Sequence, residues 1–368
     1  MFYMTATKQN IIRVGIDGGD FYPKDEVKSG IQRLVNSFLN SLSAKKGTQK
    51  KWFYYFFNDK KIFNTTESII YRNLPKRLFS SIFLPFRMLL DRTGIYLGFS
   101  GILSHLVRVF GKKSIVFIHD FGFYANPQYY RDPERMRWQT EYALYGADRI
   151  IVFSNYIRNQ ISSRFPKILQ SKIIRIYPGA DHLGKLKTTQ PMKAKFFLYV
   201  GVIKAAKNIE LLIEYFSEFL VQTDSKNIKL ILIGSKEGAY FKKISQSHTY
   251  KKVCNNLIFL NDVTDKELVQ YYLNCYAVLN VSHEEGFCYP VIEALHLGQQ
   301  VIVNDIPLYQ EFKHFFQSLH ITNNRKSFVS FMQQAVKQIT PPSKTIKSSF
   351  VWNKFTEELL QVIDKVTL

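Results

Sequence analysis

Cysteine is scarce in this sequence. Only Cys254, Cys275 and Cys288 occur in 368 residues, far apart and with no CxxC pair. That spacing argues against a disulfide framework and against a zinc site, and it fits a reducing compartment. Acidic residues are also few: 29 Asp and Glu stand against 50 Lys and Arg, a formal net charge of +21. No apolar run reaches the ~18 residues that a spanning helix needs. The first ten residues lack the apolar stretch of a secretory leader. Zinc-finger spacing, ribonucleoprotein aromatics, low-complexity tracts and internal repeats are missing as well. The chain is therefore expected to be soluble or peripheral. Among partners that a basic surface would suit, nucleic acid is the weakest. Anionic lipid and phosphorylated substrates stay open, beside a merely lysine-rich surface.

What is present alternates. A hydrophobic content of 46% is globular, and the length favours two domains. Ile11 to Ile16 reads as a strand, and Asp17-Gly-Gly-Asp20 as a turn. A helix follows, capped at Ser29 or Gly30, with Ile31, Leu34, Val35, Phe38 and Leu39 on one stripe. Strands are expected at Trp52–Phe57, Ser114–Ile118, Asp148–Phe153 and Ile173–Tyr177. The polar stretch His182 to Lys193 reads as a linker. The pattern restarts with a strand at Phe196–Val200, a glycine turn from Gly201 and a helix from Ile209. Further strands are expected at Lys229–Ile233, followed by a Gly234 loop, and at Leu257–Leu260. Thr264 with Glu267 makes a capping box. Two such alternations mean two doubly wound parallel sheets facing across a cleft, with ligands at the carboxyl ends of the strands. His119 and Asp120 end one such strand and so fall on the cleft side.

Residues 71–92 read differently. Arg72, Lys76, Arg77, Arg87 and Arg92 interleave with Leu, Phe, Ile and Met, and the segment is broken at Pro85. It reads either as a docking surface for an anionic membrane or as a core helix with a solvated basic side.

The most telling stretch is Ser282 to Gly298. It lies between the apolar strands Tyr276–Val281 and Gln300–Val303. Pro290 suits a first helical position and Gly298 a left-handed stop. Glu285 then sits in a tight loop and Glu293 in the helix after it. Free amides from Gly286 to Tyr289 point into the same space. Two carboxylates and a row of amide donors suit a polyhydroxylated ligand.

Gly201…Lys207-Asn208, Gly234, Val263-Thr264 and Glu285-Gly-Phe…Pro290…Glu293-Ala-Leu follow one another in an order that resembles the retaining GT-B glycosyltransferases of sequence family 4. Upstream, Ser29-Gly-Ile, His119-Asp120 and Tyr177…Gly179…Asp181 resemble the landmarks of their acceptor half. The resemblance implies an α/β fold of two Rossmann-like doubly wound domains facing across a cleft. Residues 1–185 would bind the acceptor and residues 186–345 the nucleotide sugar. The helix in residues 346–368 is expected to pack back on the first domain. Glu293 would take the nucleotide ribose and Glu285 the donor sugar, beside the amides of Gly286, Phe287 and Cys288. Lys207 would take the diphosphate, Val263 the base through its backbone, and His119 the sugar. Gly201 and Gly234 would line the donor site. Gly30 and Ile31 would lie near the phosphate or acceptor. The catalytic set implied is Glu285, His119 and Lys207, with no metal or other cofactor.

The family usually carries an Arg beside this Lys. Here Ala206 and Val202 occupy those places, and Lys204 and Lys236 are the candidate replacements. Cys288 stands where Gly is usual, and Tyr289 where an aliphatic residue is common. The implied activity is transfer of a hexose or deoxyhexose to a lipid-linked or glycan acceptor in surface-polysaccharide synthesis. The implied place is the inner face of the cytoplasmic membrane. A sugar-nucleotide epimerase or hydrolase, or a non-catalytic subunit of the same fold, are the competing readings.

Overall fold

A computed structural model describes residues 11–21, 29–45, 50–57, 69–186, 196–225, 227–337 and 347–367. The extreme N-terminus and residues 187–193 of the expected linker lie outside these.

Two parallel sheets carry the fold. The first holds β1 (Ile12–Gly19), β2 (Lys50–Phe56), β3 (Ile69–Asn73), β4 (Ile95–Gly98), β5 (Lys113–Ile118), β6 (Arg149–Val152) and β7 (Ile173–Arg175). Their order is β3-β2-β1-β4-β5-β6-β7. The second holds β8 (Phe196–Val200), β9 (Lys229–Ile233), β10 (Leu257–Leu260), β11 (Cys275–Asn280), β12 (Val301–Asn304) and β13 (Leu319–Thr322), in the order β10-β9-β8-β11-β12-β13. In each sheet the chain winds outward on one side of its first strand, then crosses to the other. Those switch points, β1/β4 and β8/β11, open a crevice outside the carboxyl ends of the strands.

The helices that matter for the site are α1 (Gly30–Ser43), α2 (Leu84–Leu90), α3 (Pro133–Gly146), α4 (Asn155–Arg164), α5 (Ile209–Thr223), α6 (Asp265–Asn274), α7 (Tyr289–His296), α8 (Pro307–Lys313) and α10, which is reached after α9 (Arg325–Lys337) and spans Trp352–Thr367. Ser29 caps α1 by accepting from the Gln32 amide at 3.2 Å, and Leu34, Val35, Phe38, Leu39 and Leu42 are buried beneath it. Ser154 caps α4 in the same way. Thr264 and Glu267 form the expected capping box at α6.

α10 packs on α1. Phe38 and Phe355 meet edge to face at 6.3 Å, Ser41 Oγ is 3.0 Å from Asn353 Oδ1, and Lys50 pairs with Asp364 at 2.6 Å.

Two local readings change. The turn expected at Asp17-Gly-Gly-Asp20 starts one residue later: Asp17 to Gly19 form the irregular end of β1, which shifts register to keep pairing with β2, and the Phe21 amide donates to the Gly18 carbonyl at 3.0 Å. Pro85 does not break its segment. It sits in the first turn of α2, where its missing N–H costs nothing, after a π-helical turn at Phe79–Phe83.

Candidate active site

Between the two switch points lies one cavity of about 850 Å³. That is within the size range of small-molecule sites.

The loop after β11 delivers Glu285, which is 8% exposed, and Gly286. The 3₁₀ turn Ala205–Lys207 brings the Lys207 ammonium to 2.6 Å from Glu285 Oε1. Burial alone would lower the Lys207 pKa, but the Glu285 carboxylate outweighs it and the ammonium is held above its ordinary value. Lys204 lines the cavity beside it, and its pKa is lowered by burial and then by the Lys207 charge. Cys288 caps α7 in the left-handed region, with φ 57°. Its Sγ accepts from Asn280 Nδ2 at 3.5 Å, and burial pushes the thiol up.

Gly286 is a point of close approach between the lobes. A Cβ there would run into the carbonyl oxygen of His119. Its own carbonyl accepts from Ser154 Oγ at 2.9 Å. Only glycine fits at this distance.

His119 follows β5. Its Nε2 lies 2.6 Å from the Phe99 carbonyl, and its ring meets Phe153 edge to face at 5.2 Å. A carbonyl only accepts, so Nε2 carries the proton. Burial lowers the ring's pKa, which keeps it neutral and leaves Nδ1 an acceptor.

Glu293 is 2% exposed at the other end of the cavity. Tyr272 Oη donates to its Oε2 at 3.0 Å. Arg33 Nε is 3.3 Å and His182 Nε2 3.2 Å from Oε1. Burial pushes this carboxyl up, but the Arg33 charge, followed by His182 and Tyr272, brings its pKa down to about 2.

The structure thus brings Glu285, Lys207, His119, Glu293, Gly286, Phe287, Cys288, Val263, Gly201, Gly234, Gly30 and Ile31 to the wall of one cavity. Gly234 is held at φ 144°, where a Cβ would strike the Gly201 carbonyl, so the ends of β8 and β9 meet closely. Lys236 does not join the wall. It is exposed, with its ammonium over the Phe241 and Phe259 rings at 4.2 and 4.5 Å. Of the two candidate replacements for the absent Arg, Lys204 alone is in the cavity.

Sequence reasoning missed Arg33 and Asp265. Arg33 lies off the apolar stripe of α1, yet its side chain is only 11% exposed. It also missed the cavity face of α3: Met136, Gln139 and Thr140 recur at the helical period and line the first lobe's side of the cavity with Phe123 and Ile102. That period was the available signal. Among the described residues no cluster of three His, Cys, Asp or Glu side chains is arranged to hold a metal ion.

Comparison with known proteins agrees with this geometry. Residues 185–345 match the family model Glycosyl transferases group 1. The O-antigen chain mannosyltransferase RfbU of Salmonella typhimurium is 25% identical over 200 residues, covering 54% of each chain. The serotype-specific mannosyltransferase WbdA of Escherichia coli is 29% identical over 119 residues, 32% of this chain and 14% of that one. These matches span about half, or less, of the curated relatives' length. Among solved structures, sucrose-phosphate synthase of Thermosynechococcus elongatus superposes with a TM-score of 0.73 at 14% identity, covering 97% of this chain and 99% of that one. HepE of Anabaena, in complex with UDP and glucose, gives 0.67 at 13% identity with the same coverage. The chain therefore has the two-sheet GT-B fold of glycosyltransferases, and its residues 185–345 match the group 1 glycosyl transferase model.

Proposed function

We propose that the protein is a retaining glycosyltransferase of sequence family 4. It would move a hexose or deoxyhexose from a nucleotide-diphosphate sugar to a lipid-linked or glycan acceptor. Mannose is the first sugar to test, because RfbU and WbdA are named mannosyltransferases. The observation that carries the reading is the Lys207–Glu285 pair at 2.6 Å, facing Glu293 along one cavity between two carboxyl-edge switch points.

The chemistry follows from the residues. Glu293 offers its carboxylate to the ribose hydroxyls. Glu285 and the amides from Gly286 to Cys288 take sugar hydroxyls, and His119 offers Nδ1 to another. As the anomeric bond breaks, negative charge grows on the diphosphate. Lys207 and Lys204 lie on that side, in a cleft where such charges act more strongly than in bulk water. The acceptor hydroxyl bonds to the anomeric carbon as the nucleoside diphosphate leaves, and its proton passes to a leaving-group oxygen. No metal ion takes part in this scheme.

The acceptor would enter past Met136, Gln139 and Thr140. Surface-polysaccharide synthesis at the cytoplasmic membrane face is the setting that the relatives' names and the basic charge favour.

The test is release of nucleoside diphosphate from candidate nucleotide sugars with acceptor lipid present. Turnover with GDP-mannose or another donor is expected, with the anomeric configuration retained in the product. Glu285→Ala is expected to lower turnover on the order of 100-fold or more, as loss of a charge-stabilising group does. No release with any donor would overturn the reading. Donor consumption without acceptor would favour the hydrolase or epimerase reading.

A further inference from the structure

Arg33 belongs to the first lobe, yet its ionic partners among the described residues, Asp265 and Glu293, belong to the second. Its fork is bidentate on Asp265, with Nη2 to Oδ1 at 2.8 Å and Nη1 to Oδ2 at 3.1 Å. Its Nε lies 3.3 Å from Glu293 Oε1. Asp265 opens α6, two residues after Val263, so the guanidinium spans the wall where a nucleoside would lie. Tyr272 holds Oε2 of Glu293 with an aligned hydrogen bond. Oε1 is buried between Arg33 Nε and His182 Nε2, 3.3 and 3.2 Å away, and Glu293 lines the cavity. A buried carboxylate keeps one orientation where charged and N–H partners surround it.

We propose that Arg33 is a positioning residue for nucleotide recognition: reaching across the cleft, it fixes the Glu293 carboxylate in the orientation that takes the ribose hydroxyls. This rests on the reading that Glu293 takes the ribose. Arg33 is suited to the part because its planar fork locks on Asp265, which leaves Nε aimed at Glu293 in one direction. A lysine would keep the charge but lose that direction.

Other contacts join the lobes without it. Glu311 of α8 accepts from the amides of Asn155 and Tyr156 at 2.9 Å each, and Ser154 donates to Gly286. Removing Arg33 therefore leaves the lobes in contact and acts locally, on the ribose end.

The experiment measures binding by calorimetry of GDP, UDP and their 2′,3′-dideoxy counterparts to the wild type, Arg33→Ala and Arg33→Lys. The unliganded melting temperature serves as a control for folding. For wild type, the ribonucleotide is expected to bind more tightly than its dideoxy form by about tenfold or more, the worth of hydrogen bonds to a charged group. In Arg33→Ala that preference is expected to collapse toward unity, while affinity for the dideoxy nucleotide stays near the wild-type value. Arg33→Lys is expected to restore only part of the preference.

If wild type does not prefer the ribonucleotide, the assignment of Glu293 fails and the proposal falls with it. If wild type prefers it and Arg33→Ala prefers it equally, Glu293 stands and Arg33 alone is overturned. A uniform loss on both nucleotides, with a lowered unliganded melting temperature, makes Arg33 merely structural and also overturns the proposal.

Discussion

Asp17 shows how far burial moves a carboxyl. Tyr96 Oη donates to its Oδ2 at 2.8 Å and also lies 2.9 Å from the Ile102 carbonyl. Burial, only partly offset by Tyr96 and the Gly19 amide, raises its pKa to about 6. The titratable groups around it are Tyr96 of β4, Tyr54 of β2 and Asp20. An unfolded Asp titrates near 4, so between about pH 4 and 6 the folded state binds more protons. Stability must then fall as pH rises through that window, by ~3 kcal/mol in all for a shift of this size. Asn mimics the protonated acid. The urea midpoint of Asp17→Asn is expected to exceed that of wild type at pH 7 and to match it at pH 4. Equal differences at both pH values would refute this. Glu293 runs the opposite way: its pKa is depressed to about 2, so its contribution is present above about pH 4.5 and fades on acidification toward 2.

Helix α2 illustrates what periodicity can and cannot deliver. The amphipathic pattern of residues 71–92 was legible, and Leu84 and Met88 are indeed buried. The fate of its charges was not. Arg72 and Arg87 both pair with the buried Asp91, at 3.2 and 3.0 Å, so two of the five bases are used internally. Lys76, Arg77 and Arg92 are exposed, and so are Leu78, Phe83, Phe86 and Leu90, the last at 74%. Apolar side chains among free cations are what an anionic bilayer surface would hold. Among the described residues no helix is long and apolar enough to cross a membrane. Sedimentation with vesicles containing anionic lipid should therefore capture the wild type at low salt. Phe86→Ser with Leu90→Ser should weaken capture several-fold, at ~0.8 kcal/mol per buried CH₂ lost. Capture that depends on salt but not on these two residues would count against the apolar part. In the second lobe the strand, loop and helix of Ser282–Gly298 were readable because Pro290, Gly298 and the apolar flanks act locally. Lys236 was misplaced because a glycine loop does not tell which way its neighbour points.

At the scale of the whole molecule, the sequence shows two similar halves but not how closely they meet. Arg33 and Asp265 are 232 positions apart, and no spacing rule links them. They meet tightly at Gly286, which lies against the His119 carbonyl. Gly286→Ala is expected to force the lobes apart and to lower turnover on the order of 100-fold, as small misplacements of reacting groups do. Its unliganded melting temperature should stay close to that of wild type. Wild-type turnover in this variant would refute the tight approach. One more feature bears on how the protein is made. Helix α10 buries Phe355, Leu359 and Ile363 in the same core as Phe38 and Trp52 of the first lobe. A nascent chain that has translated every strand of the first sheet still lacks that cover. Its core stays open on one side until residue 363 has left the ribosome, so the lobe that is synthesised first is completed last.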